Sequence, residues 1–307
     1  MNKYPKILSI GHKLLSQLFD DPVEITEKVD GSQFRINLTK DQVMWGSKNK
    51  DCTQEEMFGI AIEQAKRIWN DCDWRSFGDD ITLFCEYLKS ERHNRIKYNR
   101  EPRNNLYLFG AIIDGVHCES DELLRLANTL EIDPPVVISH IKIDDSDKLN
   151  NFLQTESYLG GAKIEGIVIK NYCKSYDPLL VSAQQFFGYP LAGKLVREDF
   201  REKNTKNRNT NKKTKGIDRI TKIYFTKQRL RKAIQHLEEE GKIQGEKKDL
   251  KYLIPEFYND IADECFDEIN EIIIKEVWAD IKRRGSNFVV RHYIEYLTKK
   301  QFEEELI

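Results

Sequence analysis

The sequence predicts two folding units of different class: a mixed α+β domain over residues 1–200 and a small all-helical domain over residues 217–307, joined by a basic linker at 201–216. Three observations carry this division. Short β-favouring runs separated by glycine turns recur between Val23 and Lys194. The stretch from Arg201 to Lys215 is polar and positive, with no apolar anchor. Beyond it, apolar residues recur at helical spacing and strand signals are few.

Taken in order, the first elements are strands. Val23 to Thr26, Phe34 to Leu38, Ile81 to Leu88, Leu106 to Ile113 and Gly166 to Ile169 are rich in residues that fit a pleated surface. Asp30-Gly31 and Asp114-Gly115 mark turns. From Thr53 to Asn70, Met57, Ile60, Ala61, Ala65 and Ile68 share one helical face, which predicts a helix on the outside of a sheet. In the linker, Arg201, Lys203, Lys206, Arg208, Lys212, Lys213 and Lys215 stand against Glu202, so it should stay solvated. Thr226 is placed to cap a helix with a buried stripe of Leu230, Ile234 and Leu237, ended by Gly241. Phe257, Ile261, Phe266, Ile269 and Ile272-Ile273 mark a longer helix, and Val289 to Leu297 a further one.

Composition narrows the class. With 307 residues, 39% hydrophobic and 33% charged, the chain can bury real cores under a charged surface, which excludes wholesale disorder. A formal net charge of -2 does not exclude nucleic acid, because positive charge can gather on one face. The cysteines (Cys52, Cys72, Cys85, Cys118, Cys173, Cys265) show no CxxC pair, so neither a disulfide framework nor a zinc site is expected. The histidines show no metal spacing. The first residues lead into no apolar run of signal-peptide or membrane-spanning length, and a soluble cytoplasmic protein is expected.

The chemistry lies in five ordered segments. Glu27-Lys28-Val29-Asp30-Gly31 holds a lysine on a stiff loop between a β-run and a glycine turn, although so short a match is weak alone. Phe84-Cys85-Glu86-Tyr87 puts a carboxylate inside an apolar strand, which bland burial explains poorly. Leu106-Tyr107-Leu108-Phe109-Gly110 is an aromatic strand, ordinarily plain core. In Lys163-Ile164-Glu165-Gly166-Ile167-Val168-Ile169-Lys170, strand alternation sends Glu165, Ile167 and Ile169 to one face and Lys170 to the other. Leu191-Ala192-Gly193-Lys194 supplies another lysine after a glycine.

In this order the segments resemble the covalent nucleotidyltransferase superfamily of DNA ligases, RNA ligases and mRNA capping enzymes, over Glu27 to Glu202. His93 to Pro102 and Phe200-Arg201-Glu202 resemble the RNA-ligase branch. A helical C-terminal domain, where DNA ligases and capping enzymes usually carry a β-barrel, resembles the RNA ligase 2 type, which seals nicks in duplex RNA. The resemblance implies an α+β nucleotidyltransferase (ATP-grasp-like ligase) domain of antiparallel sheets with helices. It makes Lys28 the nucleophile that takes AMP from ATP, and Lys170 and Lys194 its partners at the α-phosphate. It puts Glu86 near the ribose and a metal, Phe109 on adenine and Glu165 on a catalytic metal, with Glu27, Asp30 and Arg35 as further nucleotide contacts. Lys48, Arg197, Lys203 and Lys206 are expected on RNA. The implied cofactors are ATP and Mg²⁺ or Mn²⁺. The implied partner is RNA with 3′-OH and 5′-phosphate ends, in a duplex, joined by a monomer.

The assignment has a physical logic. A lysine attacks phosphorus only when neutral, and its ordinary pKa is about 10.4. Positive neighbours, here Lys170, Lys194 and Mg²⁺, are expected to lower it and to stabilise charge on the α-phosphate. Two departures stand out. Many relatives have Ser-Arg where this chain has Ser47-Lys48, which loses the guanidinium fork. The usual final Lys-x-Lys reads Lys194-Leu195-Val196, with Arg197 next, and Arg197 serves only if the strand bends. The alternatives are a DNA ligase or capping-type guanylyltransferase, or an inactive ligase-shaped RNA-binding protein. The intact set of Lys28, Glu86, Glu165, Lys170 and Lys194 argues against the last.

Overall fold

The computed structural model describes residues 1–48, 50–51, 55–145, 148–176, 188–197, 200 and 217–304. They belong to two compact units, Met1–Phe200 and Arg201–Ile307. The basic run from Arg201 to Lys215, with Lys203 and Lys206, lies outside the described residues.

The first unit contains two five-stranded sheets. One runs β1 (Leu8–Ser9), β10 (Pro190–Val196), β9 (Gly166–Ser175), β2 (Val23–Lys28), β8 (Val137–Ile141). The other runs β4 (Val43–Ser47), β3 (Ser32–Thr39), β5 (Asp80–Tyr87), β6 (Leu106–Ile113), β7 (Val116–His117). All the pairings are antiparallel except the short β1–β10 contact. The expected antiparallel α+β architecture is therefore present.

Each sheet packs one face into an apolar cluster with its helices, although its central strands are buried on both sides. Phe34, Ile36, Leu83 and Leu108 of the second sheet pack on Ala61, Ala65 and Ile68 of α1 (Glu55–Asp71) and on Leu123 and Leu126 of α2 (Ser120–Thr129). Ile25, Ile167, Ile169 and Leu191 of the first sheet pack on Leu15, Leu18 and Leu149, the last from the one-turn α3 (Leu149–Phe152). Strand side chains alternate, and residues paired across a ladder share a face. The face opposite that core therefore carries Lys28 beside Gly166, Thr26 beside Val168 and Lys194, and Glu24 beside Lys170 and Ala192.

The alternation expected for Glu165 needs correction. Strand β9 starts at Gly166, so Glu165 sits on the bend before it and is not bound by strand parity.

The second unit is helical: α4 (Ile217–Tyr224), α5 (Lys227–Glu239) and α6 (Leu250–Glu304). Thr226 caps α5 as expected, its Oγ1 accepting the Arg229 N–H at 3.2 Å. The buried face of α5 is turned from the expected stripe: Leu237 is buried as expected, but Leu230 is 38% exposed while Arg229 and Ala233 are buried. The Arg229 guanidinium pairs there with Asp260 and Glu264 of α6, and a paired arginine can occupy a core position. The two helical stretches expected after Phe257 are one continuous helix, α6. Among the described residues, no helix is long and apolar enough to cross a membrane.

Candidate active site

Lys28 ends β2 and β3 begins at Ser32, so the Val29-Asp30-Gly31 turn sets where the lysine points. That turn is held on all sides. Asp30 Oδ2 accepts the N–H groups of Arg95 and Ile96, both at 2.8 Å. The Asp30 N–H donates to Tyr98 Oη at 2.9 Å, and Asn94 Nδ2 donates to the Gly31 carbonyl at 2.7 Å. The Gly31 N–H donates to Glu86 Oε1 at 3.1 Å. A Cβ on Gly31 would stand 2.7 Å from both Glu86 Cγ and the Tyr87 carbonyl, so glycine is what lets the turn approach β5.

Glu27, on the opposite face from Lys28, is equally fixed. Its buried carboxylate accepts from Ser157 Oγ at 2.5 Å and from the Tyr158 N–H at 3.0 Å. Its carbonyl accepts from Tyr107 Oη at 3.1 Å. A side chain on so constrained a backbone is preorganised, which reactive groups require.

The charges around Lys28 are acidic. Its Nζ lies 2.6 Å from Glu165 Oε2. Burial disfavours the ammonium, but the carboxylates of Glu165, Glu86 and Asp30 outweigh it and hold Lys28 above the ordinary lysine range. Burial, together with Glu165 and Asp30, pushes Glu86 up to about 8 despite Lys28. Burial likewise raises Glu165, against the pull of Lys28 and Lys194. The expectation that neighbouring lysines lower the pKa of Lys28 therefore does not hold in the free chain. The charges that act on it most strongly are carboxylates.

The two other lysines are placed differently. Lys194 pairs with Val168, on the Lys28 face, and its charge acts on Glu165. Lys170 stands four residues along β9 from Gly166, about 13 Å at strand spacing. Its Nζ donates to the Phe109 carbonyl at 3.1 Å, and burial lowers its pKa. Lys170 thus joins Phe109 and Glu24 instead of the Lys28–Glu165 pair. Phe109 is the extra residue of a bulge, since Cys85 pairs with Leu108 and Phe84 with Gly110. Its ring meets Tyr4 edge-on at 5.0 Å.

Arg35 is not brought to this cluster. It is fully buried, and it donates to Ser47 O at 2.6 Å, Asn2 O at 2.9 Å, Lys50 O at 3.2 Å and Asp51 Oδ1 at 2.9 Å. Its guanidinium ties the first residues to the end of β4. Lys48 is exposed just beyond that end. Arg197 follows the last residue of β10, its N–H donating to the Glu165 carbonyl at 3.0 Å. His93 Nδ1 accepts from the Lys89 N–H, so Nε2 carries the proton toward Ser32 Oγ at 2.9 Å.

Glu165, Glu86 and Asp30 beside Lys28 are oxygen donors of the kind a hard divalent cation takes. Among the described residues no three His, Cys, Asp or Glu side chains form a metal cage. Sequence reasoning missed Tyr98, Tyr107, Ser157 and Tyr4. Tyr98 and Tyr107 lie inside two of the ligase-like segments, whereas Ser157 and Tyr4 carry no motif spacing.

A family model described as RNA ligase matches residues 21–179, slightly more than half of the chain. The chain is similar to an apo mutant of the Naegleria gruberi RNA ligase at 14% identity and TM-score 0.44, over 55% of this chain and 52% of that one. It is similar to a mutant of that ligase with ATP and Mn at 15% and 0.43, over 56% and 54%. It is similar to the ligase with PPi at 14% and 0.47, over 65% and 59%. The chain thus spans little more than half the length of these ligases. No curated protein matches it.

Proposed function

Because this chain belongs to the RNA ligase family, we propose that it is an ATP-dependent ligase that joins RNA 3′-OH and 5′-phosphate ends, at nicks in duplex RNA, with Lys28 as nucleophile. The observation that carries this is the partly buried contact at 2.6 Å between Lys28 Nζ and Glu165 Oε2, on a clamped turn with Glu86 and Lys194 beside it.

In the first step, Lys28 Nζ gives up its proton to Glu165 and attacks the α-phosphorus of ATP. A P–N bond forms and pyrophosphate leaves. In the second, an oxygen of the RNA 5′-phosphate attacks that phosphorus, breaking the P–N bond and returning Lys28 as an amine. In the third, the 3′-hydroxyl displaces AMP and the strand is sealed. Lys194 stabilises charge on the α-phosphate. Phe109 offers its face to adenine, and Lys170 holds the bulged Phe109 by its carbonyl. Glu86 and Glu165 are the residues to hold Mg²⁺, which supplies positive charge that favours the neutral amine and screens the phosphates. The first unit is the adenylyltransferase. The second unit and the basic run grip the duplex, in a monomer working in a reducing cytosol.

Incubation with labelled ATP should leave one covalent adduct on the chain, absent from Lys28→Ala, and the charged chain should seal nicked RNA in preference to nicked DNA. Normal charging of the Lys28→Ala variant would refute the nucleophile. Charging with GTP alone would refute the choice of nucleotide.

A further inference from the structure

Two arginines outside the Lys28 cluster converge on one aromatic ring. The guanidinium carbon of Arg95 lies 4.6 Å from the centroid of Phe200, and that of Arg197 lies 5.2 Å from it. Each arginine is tied by its own main-chain N–H to an acid beside Lys28: Arg95 to Asp30 Oδ2 at 2.8 Å, Arg197 to the Glu165 carbonyl at 3.0 Å. Phe200 is buried in the same apolar cluster as Val29, the residue after Lys28, and its N–H donates to the Arg197 carbonyl at 2.9 Å. The ring is therefore a platform fixed to the nucleophile's turn, and both cations are fixed with it.

What these cations face follows from charge and register. Val196 takes the second place after Lys194, opposite Gly166, so no cation stands there. Arg197 comes one residue later, past the end of β10 and free of its alternation. Its side chain is half-buried, and its buried Nε meets no acceptor among the described residues. A buried guanidinium N–H calls for an acceptor, and an oxyanion satisfies it best. Arg95 is exposed on the same platform.

We propose that Arg95 and Arg197, held on Phe200, bind the 5′-phosphate of the RNA strand that receives AMP. This rests on the reading of Lys28 as the adenylylated residue. In that transfer a 5′-phosphate oxygen forms the new P–O bond as the P–N bond to Lys28 breaks, and the departing amine takes up a proton. Two guanidinium groups match the dianionic terminal phosphate, and the phosphate must lie next to Lys28 for the exchange to occur.

The test compares binding of nicked RNA duplexes bearing a 5′-phosphate or a 5′-hydroxyl. The wild-type chain is expected to prefer the phosphate about tenfold or more. The Arg95→Gln/Arg197→Gln variant should bind the two alike, with a smaller change in the KM for ATP during charging. A preference that survives in the variant overturns the proposal. So does a raised KM for ATP with the preference intact, which would assign the arginines to the nucleotide's phosphates. A second measurement needs no variant: arginine modification by phenylglyoxal on the wild-type chain, mapped by peptide mass. Arg95 and Arg197 should be protected by the 5′-phosphate duplex and not by the 5′-hydroxyl duplex, and equal protection overturns the proposal. If Lys28 itself fails to charge, the ligase reading fails. If charging is normal and the phosphate preference ignores both arginines, only this inference fails.

Discussion

Lys28 needs its proton removed, and the group that can accept it also holds it in place. The contact of 2.6 Å to Glu165 offers a short route for the proton, yet the same carboxylate keeps the ammonium favoured. For a lysine whose pKa lies above the assay pH, the neutral fraction rises tenfold per pH unit, and charging should rise with it. Glu165→Gln keeps a hydrogen-bonding group and removes the charge, leaving burial opposed only by Glu86 and Asp30. The pH–rate profile of charging should then shift to lower pH by about one to two units. The shape decides the matter, since the height also falls if Glu165 holds the metal. An unshifted profile would show that Glu165 does not govern the proton. At this scale the grouping of Lys28, Glu86, Glu165 and Lys194 was legible in the sequence, because each sits in a spaced motif. Arg35 was not legible, because most of its acceptors are main-chain carbonyls that no side-chain pattern announces.

The β2–β9–β10 ladder is the element that sets these residues side by side, and Gly166 is its tightest point. A Cβ there would lie 2.4 Å from the Leu195 carbonyl and 2.8 Å from Val196 Cα, both backbone atoms that cannot rotate away. Gly166→Ala should push β10 outward and destabilise the chain by about 1–3 kcal/mol, as overpacking does. Urea unfolding checks the magnitude, and charging should fall as Lys194 moves with its strand. A change in stability within about 0.5 kcal/mol would mean that the ladder absorbs the methyl group. Strands β2, β3, β5, β6 and β9 were readable from their apolar and aromatic runs. Strand β10 was not, because Pro190 and Gly193 interrupt it and it gains strand character only by pairing with β9. The buried side of α5 was misread for a related reason: hydropathy ranks Leu230 above Arg229, and only the acids on α6 make the arginine the better core residue.

Among the described residues, each apolar cluster draws on one of the two units. Those built on the two sheets draw on residues from Tyr4 to Phe200, and the helical cluster draws on Ile220 to Ile272. A unit whose cores are complete within its own residues should fold alone. A chain ending at Phe200 keeps Lys28, Glu86, Phe109, Glu165, Lys170 and Lys194. It should therefore unfold cooperatively and still form the AMP adduct. It should lose sealing of nicked duplex RNA, because the second unit and the basic run supply the remaining phosphate contacts in the proposed division of labour. Removing those contacts should also flatten the salt dependence of duplex binding, so the deficit against the full chain is greatest at low salt and narrows as salt rises. A truncated chain that seals nicks as well as the full one would assign duplex binding to the first unit alone. One that unfolds without a cooperative transition would show that the apolar clusters of the first unit depend on residues beyond Phe200.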